Sequence, residues 1–157
     1  MIIGVDLDGV LTTIGLYNTE TKLPWWCAIW LILVKPNKKM AEIVRGWQEK
    51  NNEIVIVSSR PRQLEAITRW WLKKHQISFS QLFFVGKGKG VVERKFEIIQ
   101  KIGIECFVDD DPRTVNFLRR FGVNARFPQG ASFQKITDAP YLIRDYSNKA
   151  ISLLLSS

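Results

Sequence analysis

Histidine and cysteine are scarce in this chain, with one histidine, His75, and two cysteines, Cys27 and Cys106, in 157 residues. A single histidine excludes a His-rich metal centre. The two thiols stand in apolar surroundings with no Cys-x-x-Cys or Cys/His spacing, which excludes a zinc ribbon or finger and argues against a disulfide framework. They read as buried thiols of a reducing compartment, so the expected location is cytoplasmic. His75 falls at a predicted helix end, where capping is its ordinary role. Long apolar runs are also lacking. The longest, Trp25 to Val34, is half a membrane span, which excludes a transmembrane helix there but leaves interfacial contact open. Two acids by residue 8 make the first residues unlike a signal peptide. There is no internal repeat and no low-complexity tract.

What is present is an ordinary globular composition, 46% apolar and 24% charged, long enough for a real core in one domain over residues 1–157. Net charge is +8 although five acids are concentrated in two clusters. The first is Val5-Asp6-Leu7-Asp8-Gly9-Val10 and the second Phe107-Val108-Asp109-Asp110-Asp111. Each begins where an apolar run ends. Gathering carboxylates at a buried strand end costs several kcal/mol without a counter-charge. The clusters are therefore either solvated or built around a cation. An acidic pocket in a basic body suits an anionic substrate whose charge is met by a metal. A solubility surface accounts for the charge alone equally well.

The periodicity predicts strands at 2–6, 53–57, 82–85, 104–108 and 124–127. Helices are predicted at 37–50, with Asn37 as N-cap and Met40, Ile43, Val44 and Trp47 on one face, and at 61–75, with Leu64, Ile67, Trp71 and Leu72 inward and Arg62, Arg69 and Lys73 on another face. A third runs over 91–102, with Val92, Phe96 and Ile99 on a stripe, and a fourth from Pro112 to about Phe121, capped by Asp111. Residues 141–155 form a candidate closing helix. Strands alternating with helices of this length mean βαβ units, and hence an α/β, three-layer, Rossmann-like parallel sheet. Residues 10–36 break the rhythm. They hold a polar stretch, Thr12 to Lys22, and then the Trp-rich run, and they follow the first strand directly. They read as a small cap or flap, a core helix, or an interface to a second copy.

Ligands of such sheets bind at the carboxyl ends of the strands. Those ends carry Asp6 and Asp8, then Ser58 and Ser59, then Asp109 and Asp110. One carboxylate of the first pair can attack phosphorus to form an acyl phosphate, and the other can move protons to the leaving group and from water. Asp6, Asp109 and Asp110 can hold Mg²⁺, a hard cation that prefers oxygen. Ser58 and a lysine can bind the equatorial phosphate oxygens. Gly9 gives the backbone room to turn beneath the phosphate.

The ordered set, Asp-x-Asp-Gly-Val, then a strand with Ser58, then lysine, then a strand with Asp109-Asp110, resembles the haloacid dehalogenase-like superfamily of phosphatases over residues 1 to about 128. It is most similar to small, minimally capped members: the 5′(3′)-deoxyribonucleotidases and the phosphatase domain of polynucleotide kinase. The resemblance implies Asp6 as nucleophile, Asp8 as general acid/base and a metal ligand through its backbone carbonyl, Ser58 as a phosphate ligand, and Asp109 and Asp110 as metal residues. The lysine lies among Lys87, Lys89 and Lys95. Lys95, 14 residues before Asp109, is favoured by that spacing, leaving Lys89 as an outer substrate contact. Ser59 and Arg60 are further substrate-binding candidates, with pairing to a carboxylate the alternative for Arg60. The implied partner is a small phosphorylated substrate such as a nucleotide, with room for nucleic acid given Arg62, Arg69, Lys73, Lys74, Arg113, Arg119 and Arg120, although no aromatic-interleaved RNA motif is read beside them. A sugar-acid phosphatase is the alternative within the superfamily. It is disfavoured because Val108 stands where Gly precedes the Asp pair and no further Asp follows four residues on. A receiver domain has the acid clusters in the other order. A non-catalytic phosphate-binding or scaffold protein would share the same residues.

Overall fold

A computed structural model describes residues 1–14 and 32–128. Five strands form one sheet: β1 (Ile2–Val5), β2 (Glu53–Ser58), β3 (Gln81–Phe84), β4 (Cys106–Val108) and β5 (Asn124–Arg126), in the order β3-β2-β1-β4-β5. All four pairings are parallel. The connecting helices are α1 (Lys38–Glu49), α2 (Glu65–Lys74), α3 (Val91–Ile102) and α4 (Pro112–Arg120).

Alternation along the strands sends side chains to two cores, one on each face of the sheet. Ile3, Val5, Ile54, Ile56 and Val108 meet Met40, Ala41 and Val44 of α1 and Trp71 and Leu72 of α2. Val55, Val57, Phe107 and Ala125 meet Ile99 of α3 and Val115 and Leu118 of α4. The result is the expected α/β sandwich of helix, sheet and helix. Gly4 belongs to the second face, where a Cβ would lie 2.5 Å from the Phe107 ring. The missing side chain is what lets that ring pack across β1.

The caps form as the sequence implies. Asn37 accepts the Met40 N–H at 3.3 Å, and Asp111 accepts the Arg113 N–H at 3.0 Å. Boundaries shift for local reasons. The helix expected over 61–75 opens with a tight turn, Arg62–Leu64, closed by the Leu64 N–H on the Pro61 carbonyl. β4 starts at Cys106 because Gly103 and Ile104 turn back to bond the Ile99 carbonyl at the end of α3. The insertion after β1 is closed at its base. Thr12 bridges Pro36, Thr13 N–H reaches Lys35 O at 3.0 Å, and Asn37 N–H reaches Leu11 O at 2.8 Å. Most of the cap or flap segment, Cys27 and the closing helix at 141–155 lie outside the described residues. Among the described residues no helix is long and apolar enough to cross a membrane.

Candidate active site

The chain runs outward from β1 to β2 and β3, then returns to the other side of β1 for β4 and β5. Strand order therefore reverses between β1 and β4, and the crevice beyond their carboxyl ends is the ligand position of open α/β sheets. Val5 is paired with Val108, so the residues that follow them, Asp6 and Asp109, leave the sheet side by side. The Asp6 N–H still bonds the Val108 carbonyl at 2.8 Å, which extends the ladder to the first carboxylate.

Asp6, Asp109 and Asp110 each offer a carboxylate oxygen within 4.8 Å of the others, and all three are buried. Into this cluster comes Lys95 from α3. Its ammonium donates to Asp6 Oδ1 at 3.0 Å and to Asp109 Oδ2 at 2.6 Å. The other Asp109 oxygen accepts the Asp111 backbone N–H at 2.9 Å. Burial raises the Asp6 carboxyl well above its ordinary pKa; Lys95 opposes this, while Asp109, Asp8 and Asp110 add to it. Asp110 is pushed up to about 7, mainly by burial and then by the Asp109 charge. Burial alone would lower the Lys95 ammonium, but Asp109 and Asp6 reverse the effect and raise it. One ammonium thus faces three carboxyl groups that still repel one another. A compact all-oxygen donor set with that surplus of negative charge fits a divalent metal ion.

Asp8 is handled separately. Arg60, only 1% exposed, grips both of its oxygens, with Nε to Oδ2 at 2.9 Å and Nη2 to Oδ1 at 2.6 Å. The third arm of the guanidinium, Nη1, donates to Thr68 Oγ1 at 3.0 Å. Of the two roles open to Arg60, the geometry presents pairing with a carboxylate. Ser58 and Ser59 are buried at the end of β2, and the Ser58 hydroxyl accepts the Arg60 backbone N–H at 3.1 Å.

The turn that follows Asp8 depends on Gly9. Its φ is +83°, and a Cβ there would overlap the Asp110 carboxyl group. Its N–H is held by Thr12 Oγ1 at 3.1 Å. At Gly9 the loop from Asp6 to Thr12 is thus pressed against Asp110 of the β4 loop.

Lys95 is the lysine that reaches the carboxylates. Lys89 is exposed on the Gly86–Gly90 loop, and its backbone carbonyl accepts from Arg94 of α3. Two residues not singled out by sequence complete the surroundings. Arg94 donates to the carbonyls of Val85 and Lys89 at 2.6 and 2.7 Å and to that of Lys87 at 3.2 Å, which fixes the loop before Lys95. Thr68 is fully buried on α2 and braces Arg60. Its signal was a hydroxyl on the apolar stripe of Leu64, Trp71 and Leu72. Outside the site, His75 closes α2, and Cys106 is a buried free thiol.

No family model matches the sequence, and no curated protein matches it. Solved structures do. A chain in a structure of the Pnkp1/Rnl/Hen1 RNA repair complex is 18% identical with a TM-score of 0.63, covering 80% of this chain and 41% of that one. A chain in a second structure of the Pnkp1/Rnl/Hen1 complex is 19% identical with a TM-score of 0.65, covering 80% and 45%. This chain spans less than half the length of those chains. At such identity the likeness is one of fold: a parallel, Rossmann-like sheet between two layers of helices.

Proposed function

We propose that the chain is a Mg²⁺-dependent phosphomonoester hydrolase working through an aspartyl phosphate on Asp6, with a nucleotide or the phosphorylated end of a polynucleotide as substrate. The observation that carries this reading is the meeting of Asp6, Lys95, Asp109 and Asp110 at the ends of adjacent strands. The resemblance to haloacid dehalogenase-like phosphatases supplies the roles. The likeness to chains of RNA repair complexes supports a nucleic-acid-related substrate.

In the first step an Asp6 carboxylate oxygen bonds to phosphorus, the bond from phosphorus to the ester oxygen breaks, and a proton from Asp8 goes to the departing oxygen. Water then attacks the phosphorus and passes a proton to Asp8. Inorganic phosphate leaves and Asp6 is restored. Bidentate pairing with Arg60 fixes the direction of the Asp8 carboxyl group while leaving it further lone pairs for the travelling proton. Arg60 is on this reading a positioning residue. Lys95 and Ser58 bind the phosphate oxygens, with Ser59 and Lys89 nearer the rest of the substrate. Asp6, Asp109 and Asp110, with the Asp8 carbonyl, would hold Mg²⁺, which when bound offsets repulsion between the anionic substrate and the anionic pocket. Residues 10–36 would form a cap on a single domain, and their stem lies beside the Asp6–Thr12 turn.

The test is a screen of nucleotides, sugar phosphates and 3′-phosphorylated oligonucleotides, with wild type and Asp6→Asn in Mg²⁺ or EDTA. Turnover should need both Asp6 and Mg²⁺ and should favour the nucleic-acid-derived esters. Equal rates in wild type and Asp6→Asn would overturn the proposal. A preference for sugar-acid phosphates would overturn its substrate half.

A further inference from the structure

The outward face of α2 carries a second group of chemical features, away from the carboxylates. Thr68, Trp71 and Leu72 turn inward, which leaves Arg69, Trp70, Lys73 and Lys74 on the opposite side, with Arg62 in the turn just before. Helical geometry sets Arg62, Arg69 and Lys73 along one row and Trp70 and Lys74 along the next. Trp70 is 46% exposed, unusual for so large an apolar ring, and the Lys74 ammonium lies 4.8 Å from its centre. Beside this face an open cleft of about 430 Å³ is lined by Arg69, Lys73, Gln76, Ile77, Ser78 and Phe79. The Arg69 guanidinium lies 5.7 Å from the centre of the Phe79 ring. Glu65 is the one acid on the row, and it pairs with Arg69 at 2.8 Å and Arg62 at 3.9 Å.

We infer that this face binds single-stranded nucleic acid, independently of the reaction at Asp6. Cations set around an exposed aromatic ring, with a second ring partly exposed in the cleft beside it, form a combination that tracks a phosphate backbone while stacking its bases. Trp70 offers one stacking ring. The cleft adds the outer part of Phe79, whose ring packs on the core and beside Arg69, with the amide of Gln76 and hydroxyl of Ser78 available to base edges and Arg69 and Lys73 to phosphates. An anionic membrane is a poorer match, because the apolar stripe that would enter lipid is buried against the sheet and Trp70 stands alone among charges. A duplex is also a poorer match, because its bases are not free to stack on Trp70 or Phe79. Arg62 begins the row two residues after Arg60, so a strand bound along it has one end close to the carboxylate crevice.

The experiment uses the full chain and a fluorescent single-stranded RNA of about a dozen nucleotides, followed by anisotropy across a salt series. DNA of the same sequence, the matching duplex and anionic phospholipid vesicles form the other arms. Binding should weaken as salt rises, by about 2–3 log units per tenfold increase. Trp70→Ala should weaken it roughly tenfold, the scale of one lost base stack, and Trp70→Phe should restore most of that. Lys73→Glu with Lys74→Glu should flatten the salt slope by about 1. Glu65→Gln should tighten binding by freeing the two arginines. None of these should change hydrolysis of a small aryl phosphate, and Asp6→Asn should bind as wild type does. Separating the readouts in this way keeps failure of this inference distinct from failure of the hydrolase reading. Unchanged affinity in the Trp70 and lysine variants would overturn it. So would tighter binding of the duplex or of the vesicles than of the single strand.

Discussion

Lys95→Met is the most informative single change in the site. It keeps the unbranched stem of the side chain and removes the ammonium that pairs with Asp6 and Asp109. Wild-type Lys95 makes two buried charge-assisted hydrogen bonds, at 3.0 and 2.6 Å, with side chains no more than 5% exposed on either side. Removing one member of a buried ion pair costs about 3–5 kcal/mol, because the remaining charge stays desolvated. Here the remaining charges are carboxylates within 4.8 Å of one another. They have one escape, the uptake of a proton, and Asp110, already pushed up to about 7, takes one readily near neutrality.

The loss in ion-free protein should therefore lie near the lower bound, about 3 kcal/mol at pH 7, and grow by up to about 1.4 kcal/mol per pH unit above that. For a chain of this size that is about 6–12 °C in midpoint temperature. Urea unfolding in EDTA at pH 6 and pH 8, followed by tryptophan fluorescence, reads both quantities. Added Mg²⁺ should recover more stability in the variant than in wild type, since the ion replaces a missing positive charge. If Lys95→Met is as stable as wild type in EDTA at pH 8, or if the deficit is the same at both pH values, the proposed electrostatics of the cluster are wrong.

Two further outcomes follow from the same geometry. Gly9→Ala should cost at least about 1–2 kcal/mol for a side chain at positive φ, and it should abolish Mg²⁺ binding in calorimetry because the new methyl group displaces the Asp110 carboxyl; binding at wild-type strength would show that the contact is not tight. In ion-free protein Asp110 is an acid whose folded pKa, about 7, exceeds its ordinary value, so the folded state binds more protons than the unfolded one between about pH 4 and 7, and this contribution is full at the acid end and lost as pH rises through 7. The urea midpoint difference between Asp110→Asn and wild type should accordingly widen in favour of the variant from pH 5 to pH 8 in EDTA, and a difference that is constant across that range would refute the assignment.

Much of this was legible in the sequence because strand ends announce themselves. Apolar runs that stop at Asp6, Ser58 and Asp109 give both the parallel sheet and the edge where the site lies. The caps Asn37 and Asp111 were legible because an N-cap needs only local chemistry. Helix phase was read less well. The stripe assigned to the third helix was Val92, Phe96 and Ile99, whereas the residues fully inward are Val91, Lys95 and Ile99, spaced four apart. Read in that phase, Lys95 is a charge on a buried stripe, which separates it from Lys89 with no appeal to spacing. The helix over 61–75 was read in phase, with Trp71 and Leu72 inward and Arg62, Arg69 and Lys73 on another face. Adjacent residues on a helix point about 100° apart, so one tryptophan of the Trp70-Trp71 pair must face outward among Arg69, Lys73 and Lys74. The aromatic interleaving that sequence alone did not register was present in that phase. The bidentate pairing of Arg60 with Asp8 was beyond any local pattern, since 52 residues separate them and only the β1–β2 register brings them together.

That pairing changes how the first carboxylate pair should be understood. Asp6 and Asp8 are two residues apart, and the Asp8 charge adds to the rise in the Asp6 carboxyl. The fold nonetheless gives each its own counter-charge from a different strand–helix unit. Asp8 is matched by Arg60, a fixed cation from the end of β2, braced by Thr68 of α2. Asp6 shares Lys95 of α3 with Asp109, and Asp110 stands beside them. In the first group the charges balance. In the second, three carboxylates against one ammonium leave two negative charges when all are ionised, the complement of a divalent ion. On the proposed reading, the proton carrier, Asp8, sits in the group whose charges already balance, and the nucleophile, Asp6, in the group whose surplus a metal ion would meet.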